Sequence, residues 1–250
     1  MRFTNIRKQL AFREHQKRFF SKMSETFLDS KIKRIRKTKR VYQPAFIPDL
    51  DWKLDMTEME RISLASQITA ITSRIEEYES ILDLGSNLGY ISLNLARQFP
   101  HSIVSGFEPD RELVEAANRS AEKAMIKNIK FQGLDINPIN IKGLPIFDNT
   151  IFLSVYQQWV RSYGMEQSKI MINTLFEKTK KRMFFSMAST NGSPKILEYF
   201  PDMGDSLEES DQWIVENVLN FPNSNVENLG RYETKYGSSL PRTLFLVRRK

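Results

Sequence analysis

The chain has 250 residues, enough for one α/β domain with a full core and a modest extension. Hydrophobic residues make up 40% and charged residues 27%, a balance typical of globular proteins rather than of disordered or membrane-spanning chains. Cysteine is absent, which excludes disulfides, thiolate metal sites, iron–sulfur clusters and cysteine nucleophiles. The two histidines, His15 and His101, have no neighbouring ligand set, so no metal site is predicted.

The first twenty residues carry charges throughout and lack the apolar stretch of a secretory signal. The longest apolar runs in the chain are strand-sized and too short to cross a bilayer. We therefore expect a cytoplasmic protein without a transmembrane segment.

The net charge of +7 is concentrated at the N-terminus. Residues 1–40 contain fourteen Lys and Arg and three acidic residues, which leaves the rest of the chain with a net charge of −4. No glycine occurs before Gly85 and no proline before Pro44, so this part is predicted to be mainly helical. We interpret residues 1–50 as a basic, mainly helical arm and linker, and residues 51–250 as the main domain.

A basic amphipathic arm is compatible with several partners. It could neutralise the phosphates of RNA or DNA, lie on an anionic membrane surface, or dock an acidic partner. The alternative is a solvated helix whose apolar face packs on the body. The acidic segment 202–213 could also attract the arm, within the same protein or in a neighbouring copy.

The first helix of the main domain is predicted to begin near Thr57, because Thr57 and Glu60 have capping-box spacing. An apolar series follows at Leu64, Ile68, Ile71, Ile75 and Tyr78. From Ile81 onward, short apolar runs alternate with helical stretches. The strand candidates are ILDL, IVSGF, IKFQG, TIFLSV, RMFFSM and TLFLV. Helices are predicted at about 90–98, 110–125, 165–179 and 207–220, with Asp110 as an N-cap, and the alternation predicts a parallel α/β sheet.

A glycine-containing turn separates the first strand candidate from a helix that starts near Tyr90. The turn contains Asp83, Gly85, Ser86, Asn87 and Gly89. Glycines at a strand-to-helix turn let the backbone bend sharply and leave room for a ligand close to the main chain, and the N–H groups at the helix start can face that ligand. The spacing is Gly-x-x-x-Gly, which disfavours both the dinucleotide and the nucleoside-triphosphate fingerprints.

Carboxylates follow the next two strand candidates. Glu108 ends the second strand, twenty-five residues after Asp83, where a carboxylate can accept hydrogen bonds from both ribose hydroxyls of an adenosine. Asp135 follows the third strand, unless Asp135 and Asn137 only form a turn that bonds its own backbone. Three carboxylates at successive strand tips, without a phosphate-binding lysine, favour a cationic nucleoside such as S-adenosylmethionine.

Residues 81 to about 190 resemble the core of the class I S-adenosylmethionine-dependent methyltransferases. DLGSNLGYIS resembles the first motif of that family, FEPD the second, GLDI the third and FDNTIFLSVYQQW the fourth. The final TLFLVRRK resembles the antiparallel strand that closes the family's sheet. The resemblance implies an α/β, Rossmann-like, mostly parallel seven-stranded sheet with helices on both faces, and a methyltransferase domain over residues 51–250.

The resemblance also implies a site for S-adenosylmethionine, which leaves as S-adenosylhomocysteine. Asp83 and the glycine turn would line the methionine and ribose, Glu108 would bind the ribose, and Pro109 would lie beside the adenine. Asp135 and Ile136 would reach the adenine edge, and Ser154 and Val155 would border the methyl group. The full predicted cofactor set is Asp83, Gly85, Ser86, Asn87, Gly89, Tyr90, Glu108, Pro109, Asp135, Ile136, Ser154 and Val155.

The methyl acceptor is predicted to meet the segment after the fourth strand, where Gln157, Gln158, Trp159 and Tyr163 are the candidate substrate-binding residues. Several relatives have histidines at the positions of Gln157 and Gln158, so no catalytic base is assigned. Trp159 and Tyr163 either stack on an acceptor or pack under the following helix.

The acceptor is left open between RNA and an oxygen or nitrogen of a sugar or small molecule. LSVYQQW resembles enzymes that methylate RNA 5′ phosphates, whereas DLGSNLGYIS with FEPD resembles sugar O-methyltransferases. The alternative to an active enzyme is a catalytically silent, methyltransferase-like binding subunit that acts through the basic arm.

Overall fold

The computed structural model describes Ser30, residues 34–35, Phe46 and residues 58–191, 194–233 and 241–250. Contacts divide the chain into a unit of residues 1–41 and a unit of residues 42–250. The predicted helical form of the basic arm, its partners and the predicted helix start at Thr57 lie outside the described residues. The arm and its boundary therefore stay predictions.

Helices and strands alternate along the larger unit. The elements are α1 (Glu58–Thr72), β1 (Ile81–Leu84), α2 (Tyr90–Gln98), β2 (Val104–Glu108), α3 (Arg111–Lys123), β3 (Ile129–Gly133), β4 (Phe147–Leu153), α4 (Tyr156–Glu177), β5 (Thr179–Ser186), α5 (Leu207–Asn217), β6 (Ser224–Tyr232) and β7 (Arg242–Arg249). Short 3₁₀ helices occupy Ile141–Gly143 and Pro194–Glu198.

The strands form one seven-stranded sheet in the order β3-β2-β1-β4-β5-β7-β6. The pairs from β3 to β5 are parallel, and β7 runs antiparallel to both β5 and β6. The chain leaves β1 for β2 on one side and returns to β4 on the other, so the strand order reverses between β1 and β4. Ligands bind such sheets at the carboxyl ends of the strands, beside this reversal. The predicted fold class is confirmed.

Helices cover both faces of the sheet, which explains why every residue of β1 is buried. One face carries α1, α2 and α3, whose apolar side chains include Ile71 and Leu95. The other face carries α4 and α5, where Leu175 and Ile214 pack in one cluster with Phe152 of β4. Among the described residues, no helix is long and apolar enough to cross a membrane.

One strand was absent from the sequence-based candidates. β6 lies at the edge of the sheet, with β7 as its single neighbour, and its side chains are exposed or half-buried. An edge strand that packs on one partner needs no apolar run, so SNVENLGRY carries little of the pattern that identifies buried strands.

Several helix bounds differ from the prediction. α4 begins at Tyr156 rather than near residue 165 and bends at Gly164, whose backbone angles are φ 77° and ψ 166°. α5 ends at Asn217 rather than near residue 220. α1 ends at Thr72, so the apolar series overran the helix: Tyr78 has φ 68°, is exposed and stacks on His101. The predicted N-cap is confirmed, because Asp110 Oδ1 accepts a hydrogen bond from the backbone N–H of Glu112 at 2.9 Å.

Candidate functional site

The turn between β1 and α2 depends on its glycines for two reasons. Gly85 and Gly89 have φ of 80° and 76°, in the left-handed region that favours glycine. A Cβ at Gly85 would lie 2.4 Å from Val155 Cγ2, and a Cβ at Gly89 would lie 2.4 Å from Phe131 Cζ. The close approach at both positions is therefore to side chains of the chain itself, and it locks the turn against β3 and the start of α4.

Glu108 connects this turn to the end of β2. Its Oε2 accepts a hydrogen bond from Asn87 N at 3.0 Å, and its Oε1 accepts one from Asp110 N at 3.1 Å. The side chain is only 8% exposed. The structure thus holds the carboxylate at the carboxyl end of β2, against the turn, as the spacing from Asp83 predicted.

Asp83 lies in β1, opposite Gly106 of β2, and is 3% exposed. Ser92 Oγ of α2 donates a hydrogen bond to Asp83 Oδ2. Burial and, to a smaller extent, the nearby charge of Glu108 raise the pKa of Asp83 to about 7, against the lowering effect of the hydrogen bonds from Ser92. Two buried carboxylates thus lie close enough to repel one another, which makes this end of the sheet attractive to a cation.

The turn also contains polar atoms without partners among the described residues. Asn87 Oδ1 and Ser86 Oγ are both buried and accept or donate no hydrogen bond there. Leaving such an atom unpaired costs about 1–3 kcal/mol, and a ligand is one way to recover that cost. Ser86 Oγ lies 3.0 Å from the position of a Cβ on Gly106, on the inner side of the turn, so Asn87 Oδ1 is the better candidate for a ligand contact.

The loop after β3 carries Asp135 and Ile136. Asp135 is exposed, and its backbone carbonyl accepts hydrogen bonds from the side chains of Asn137 and Asn140 at 3.3 and 2.8 Å. Ile136 is buried in the α4–α5 core cluster. The alternative that Asp135 and Asn137 form a turn bonded to its own backbone is correct for the Asn137 side chain. Asp135 takes part through its backbone carbonyl, and no described hydrogen bond of the turn uses its carboxylate. That carboxylate instead acts on Tyr163 of α4: burial raises the pKa of the Tyr163 phenol and the charge of Asp135 adds to the rise.

Ser154 and Val155 follow β4 directly. Ser154 has φ 62° and donates its backbone N–H to Ser186 O at 2.7 Å, so the chain turns sharply at the strand tip. Val155 then contacts the glycine turn through the close approach to Gly85. The predicted methyl-group residues thus lie against the predicted methionine residues.

The remaining predicted residues lie in different environments. Tyr90, the first residue of α2, is half-buried, and Pro109 is exposed. In α4, Gln158 is exposed, and Gln157 is buried with an Oε1 that has no partner among the described residues. Trp159 is buried and packs on Phe152 with 4.7 Å between ring centroids, which fits the packing alternative rather than stacking on an acceptor.

Two residues of this region were missed by sequence reasoning. Ser92 lies nine positions after Asp83 within α2, and a serine on a helix face gives no signal of its own. Arg242, the first residue of β7, donates a hydrogen bond from Nη1 to Ser154 Oγ. The sequence shows Arg242 only as a single arginine before the apolar run TLFLV. The fold places this arginine at the edge of the sheet where the parallel strands have their carboxyl ends.

Comparisons with known proteins agree with this geometry. A family model described as a methyltransferase domain matches residues 75–232, more than half of the chain. A sequence search of curated proteins finds no match. The bifunctional kinase-methyltransferase WbdD is a similar solved structure, with a TM-score of 0.66 and 21% identity over 88% of this chain. The chain spans about half the length of WbdD, 46% of that chain.

Two further solved structures share the fold over most of their own length. Magnesium protoporphyrin IX methyltransferase (ChlM) from Synechocystis PCC 6803, solved with bound S-adenosylmethionine, has a TM-score of 0.54 and 15% identity over 80% of this chain and 87% of its own. YcgJ from Bacillus subtilis has a TM-score of 0.51 and 13% identity, and the match covers 76% of this chain and 99% of YcgJ. With the family match over residues 75–232 and the seven-stranded sheet, the chain belongs to the class I S-adenosylmethionine-dependent methyltransferase family.

Proposed function

We propose that this chain is an active methyltransferase that binds S-adenosylmethionine at the carboxyl ends of β1, β2 and β4. The observation that carries the proposal is the pair of buried carboxylates, Asp83 and Glu108, held against the glycine turn where the strand order reverses. A positively charged nucleoside without phosphates complements this pair. Family membership supports the same cofactor.

The residues present fit that cofactor. Glu108 is fixed by two backbone N–H groups and has the acceptor chemistry that ribose hydroxyls require. Asp83 supplies negative charge to the positively charged part of the ligand, and Asn87 Oδ1 offers a buried acceptor to its donors. Asp135, across from Tyr163, borders the region where the adenine is expected.

Positioning is the main catalytic contribution that these residues can make. When bound, S-adenosylmethionine supplies a methyl group on a positively charged sulfur, which is a good leaving group. Ser154 and Val155 border the place where an acceptor would approach, and holding two reactants in line accounts for a large part of a methyl-transfer barrier. Burial raises the pKa of Tyr156 to about 12 and also raises that of Tyr163, so neither phenol is ionised at neutral pH. The site therefore suits an acceptor that needs no strong base.

A labelling experiment tests the activity. The full chain is incubated with methyl-labelled S-adenosylmethionine and a cell extract that has been divided into RNA, protein, glycan and small-molecule fractions. We expect label in one fraction. Label in no fraction, from a protein that binds S-adenosylhomocysteine, would contradict the activity and favour a silent binding subunit.

Replacing Glu108 with alanine should weaken binding of S-adenosylhomocysteine at least about tenfold, because a hydrogen bond to a charged group contributes roughly 1.5–3 kcal/mol. Isothermal titration calorimetry measures the change. Glu122→Ala is the matched control, since Glu122 is exposed and lies at the other end of α3. An affinity of the Glu108 variant equal to that of the control would remove Glu108 from the site.

A further inference from the structure

One buried side chain of the larger unit comes from the segment that precedes α1. Phe46 is 4% exposed and packs in a cluster with Leu93 of α2, Ala117 and Ala121 of α3, and Phe131 of β3. The two buried α3 residues of this cluster are alanines, which are too small to cover an aromatic ring by themselves. Phe46 completes the packing around Phe131, as a closely packed protein interior requires.

The Phe131 ring is also the surface on which the cofactor turn rests. It lies against Gly89, the last residue of the turn, and against Gly106 of β2, so a Cβ at either glycine would overlap the ring. Gly106 pairs with Phe131 on one side and with Asp83 on the other. One aromatic ring therefore contacts both the turn and the strand residue beside the buried carboxylate.

The backbone of Phe131 is held independently of Phe46. Phe131 N donates a hydrogen bond to Asn118 Oδ1 of α3 at 3.2 Å, and Phe131 O accepts one from Asn118 Nδ2 at 3.1 Å. These bonds act where β3, an edge strand, has no neighbouring strand. The position of the ring, by contrast, is set by the side chains packed around it. Loss of the Phe46 side chain should therefore release the ring without undoing the strand.

Phe46 reaches the turn by a second, more direct contact. Its ring lies against the ring of Tyr90, with 6.2 Å between the centroids and an angle of 51° between the planes. Tyr90 is the first residue of α2 and follows Gly89 directly. Tilted aromatic pairs at this distance attract one another beyond the area that they bury. Phe46 thus contacts the cofactor turn both through Phe131 and through Tyr90.

We propose, on the basis of the function proposed above, that Phe46 is a positioning residue for the cofactor site. It holds Phe131 and Tyr90, and these two side chains hold the glycine turn in the conformation that binds S-adenosylmethionine. A turn that adopts this conformation for only part of the time binds more weakly in proportion to that part. Excess cofactor restores the bound conformation, so loss of Phe46 raises the KM for the cofactor and leaves kcat unchanged.

Phe46→Ala tests the role by calorimetric titration with S-adenosylhomocysteine, at a temperature at which circular dichroism shows a folded chain. We expect the dissociation constant to rise about tenfold, as for a turn that is competent about a tenth of the time. Phe99→Ala is the matched control, since it removes the same buried side chain at the other end of α2. It should change the dissociation constant less than about twofold, as a distant, independent site does. A Phe46→Ala chain that binds as tightly as the control would overturn the proposal.

Hydrogen exchange in Phe46→Leu gives a second test that needs no ligand, and the leucine keeps a large apolar side chain that favours folding. Four backbone N–H groups of the turn donate hydrogen bonds and exchange with deuterium when the turn opens, namely those of Gly85, Ser86, Asn87 and Gly89. We expect faster exchange that is confined to residues 85–90. Unchanged exchange in the turn, or an equal increase throughout the sheet, would overturn the proposal.

The kinetics of Phe46→Leu separate positioning from a general loss of stability. In the labelling assay, the KM for S-adenosylmethionine should rise about threefold, between the values of the unmodified chain and of Phe46→Ala, while kcat stays the same. A lower kcat with an unchanged KM would overturn the proposal. Failure of the unmodified chain to bind S-adenosylhomocysteine would instead overturn the proposed function.

Discussion

Replacing Asp83 with asparagine is expected to weaken the binding of S-adenosylmethionine on the order of fiftyfold at pH 7.5, because a cation a few ångströms from a buried carboxylate gains several kcal/mol. The pKa of Asp83 is about 7, so the unmodified protein should bind the cofactor more tightly as the pH rises from 5.5 to 7.5 and the carboxylate ionises. The asparagine variant should lack this dependence. Calorimetric titrations at several pH values measure both effects.

The same substitution should stabilise the ligand-free protein. The pKa of Asp83 is raised from 3.8 to about 7 in the folded chain, so the folded state binds more protons than the unfolded state between these pH values. The free energy of unfolding therefore falls as the pH rises through this window, and Asp83→Asn removes that loss. We expect a higher melting temperature than that of the unmodified protein at pH 8, and a smaller difference at pH 5.

Asp148→Asn is a matched control, because the pKa of Asp148 is lowered in the folded chain whereas that of Asp83 is raised. Asp148 is the second residue of β4. It accepts hydrogen bonds from the backbone N–H and the hydroxyl of Ser80, both at 2.9 Å. Burial alone would raise its pKa, but these hydrogen bonds and the charges of Lys180 and Lys181 lower it. Its loss should destabilise the protein and leave cofactor affinity unchanged. A cofactor affinity of Asp83→Asn equal to that of this control would contradict a charge role for Asp83.

Glu79→Gln should lower the free energy of unfolding by about 3 kcal/mol at pH 7, because it breaks a buried ionic network. The Glu79 carboxylate is buried at the amino edge of the sheet and accepts hydrogen bonds at 2.6–3.0 Å from Glu76 N, Asn149, Lys181 and Arg182. Burial would raise the pKa of Glu79, but the four donors outweigh it and lower the pKa to about 2. Urea unfolding monitored by circular dichroism measures the change.

The loss of stability caused by Glu79→Gln should become smaller as the pH falls. Since the pKa of Glu79 is lowered from 4.5 to about 2 in the folded chain, its contribution is complete above about pH 4.5 and is lost as the pH falls toward 2. The difference between Glu79→Gln and the unmodified protein should therefore shrink between pH 4.5 and pH 2.5. Glu76→Gln is the control, since the Glu76 side chain is 72% exposed and lies 3.7 Å from Arg182. A Glu79 variant as stable as this control at pH 7 would show that the network contributes little.

The parts of the fold that the sequence predicted are those whose signal is local. ILDL and IKFQG form strands because apolar residues run between turn residues, and the helix after Asp110 begins where that aspartate caps it. The positions of Gly85 and Gly89 in a sharp strand-to-helix turn, and of Glu108 at a strand tip, were predictable because both features are encoded within a few residues.

The missed parts depend on tertiary position. β6 is polar because it lies at the sheet edge, and that location is set by β7, which follows it in the chain. α4 runs through Gly164 because Tyr156 and Trp159 are anchored in the core, which outweighs the local cost of the glycine. The glycine turn is tight because of Val155 and Phe131, both distant in sequence. Arg242 contacts Ser154 because the antiparallel pairing of β7 brings the start of that strand close to the tip of β4.

Calorimetric titration of the full chain with S-adenosylmethionine and S-adenosylhomocysteine tests the central claim most directly, namely that Asp83, Glu108 and the glycine turn form one binding crevice. We predict one binding site per chain for each compound, and a clear loss of affinity in Glu108→Ala but not in Glu122→Ala. An absence of heat and of any rise in melting temperature with either compound would contradict the account.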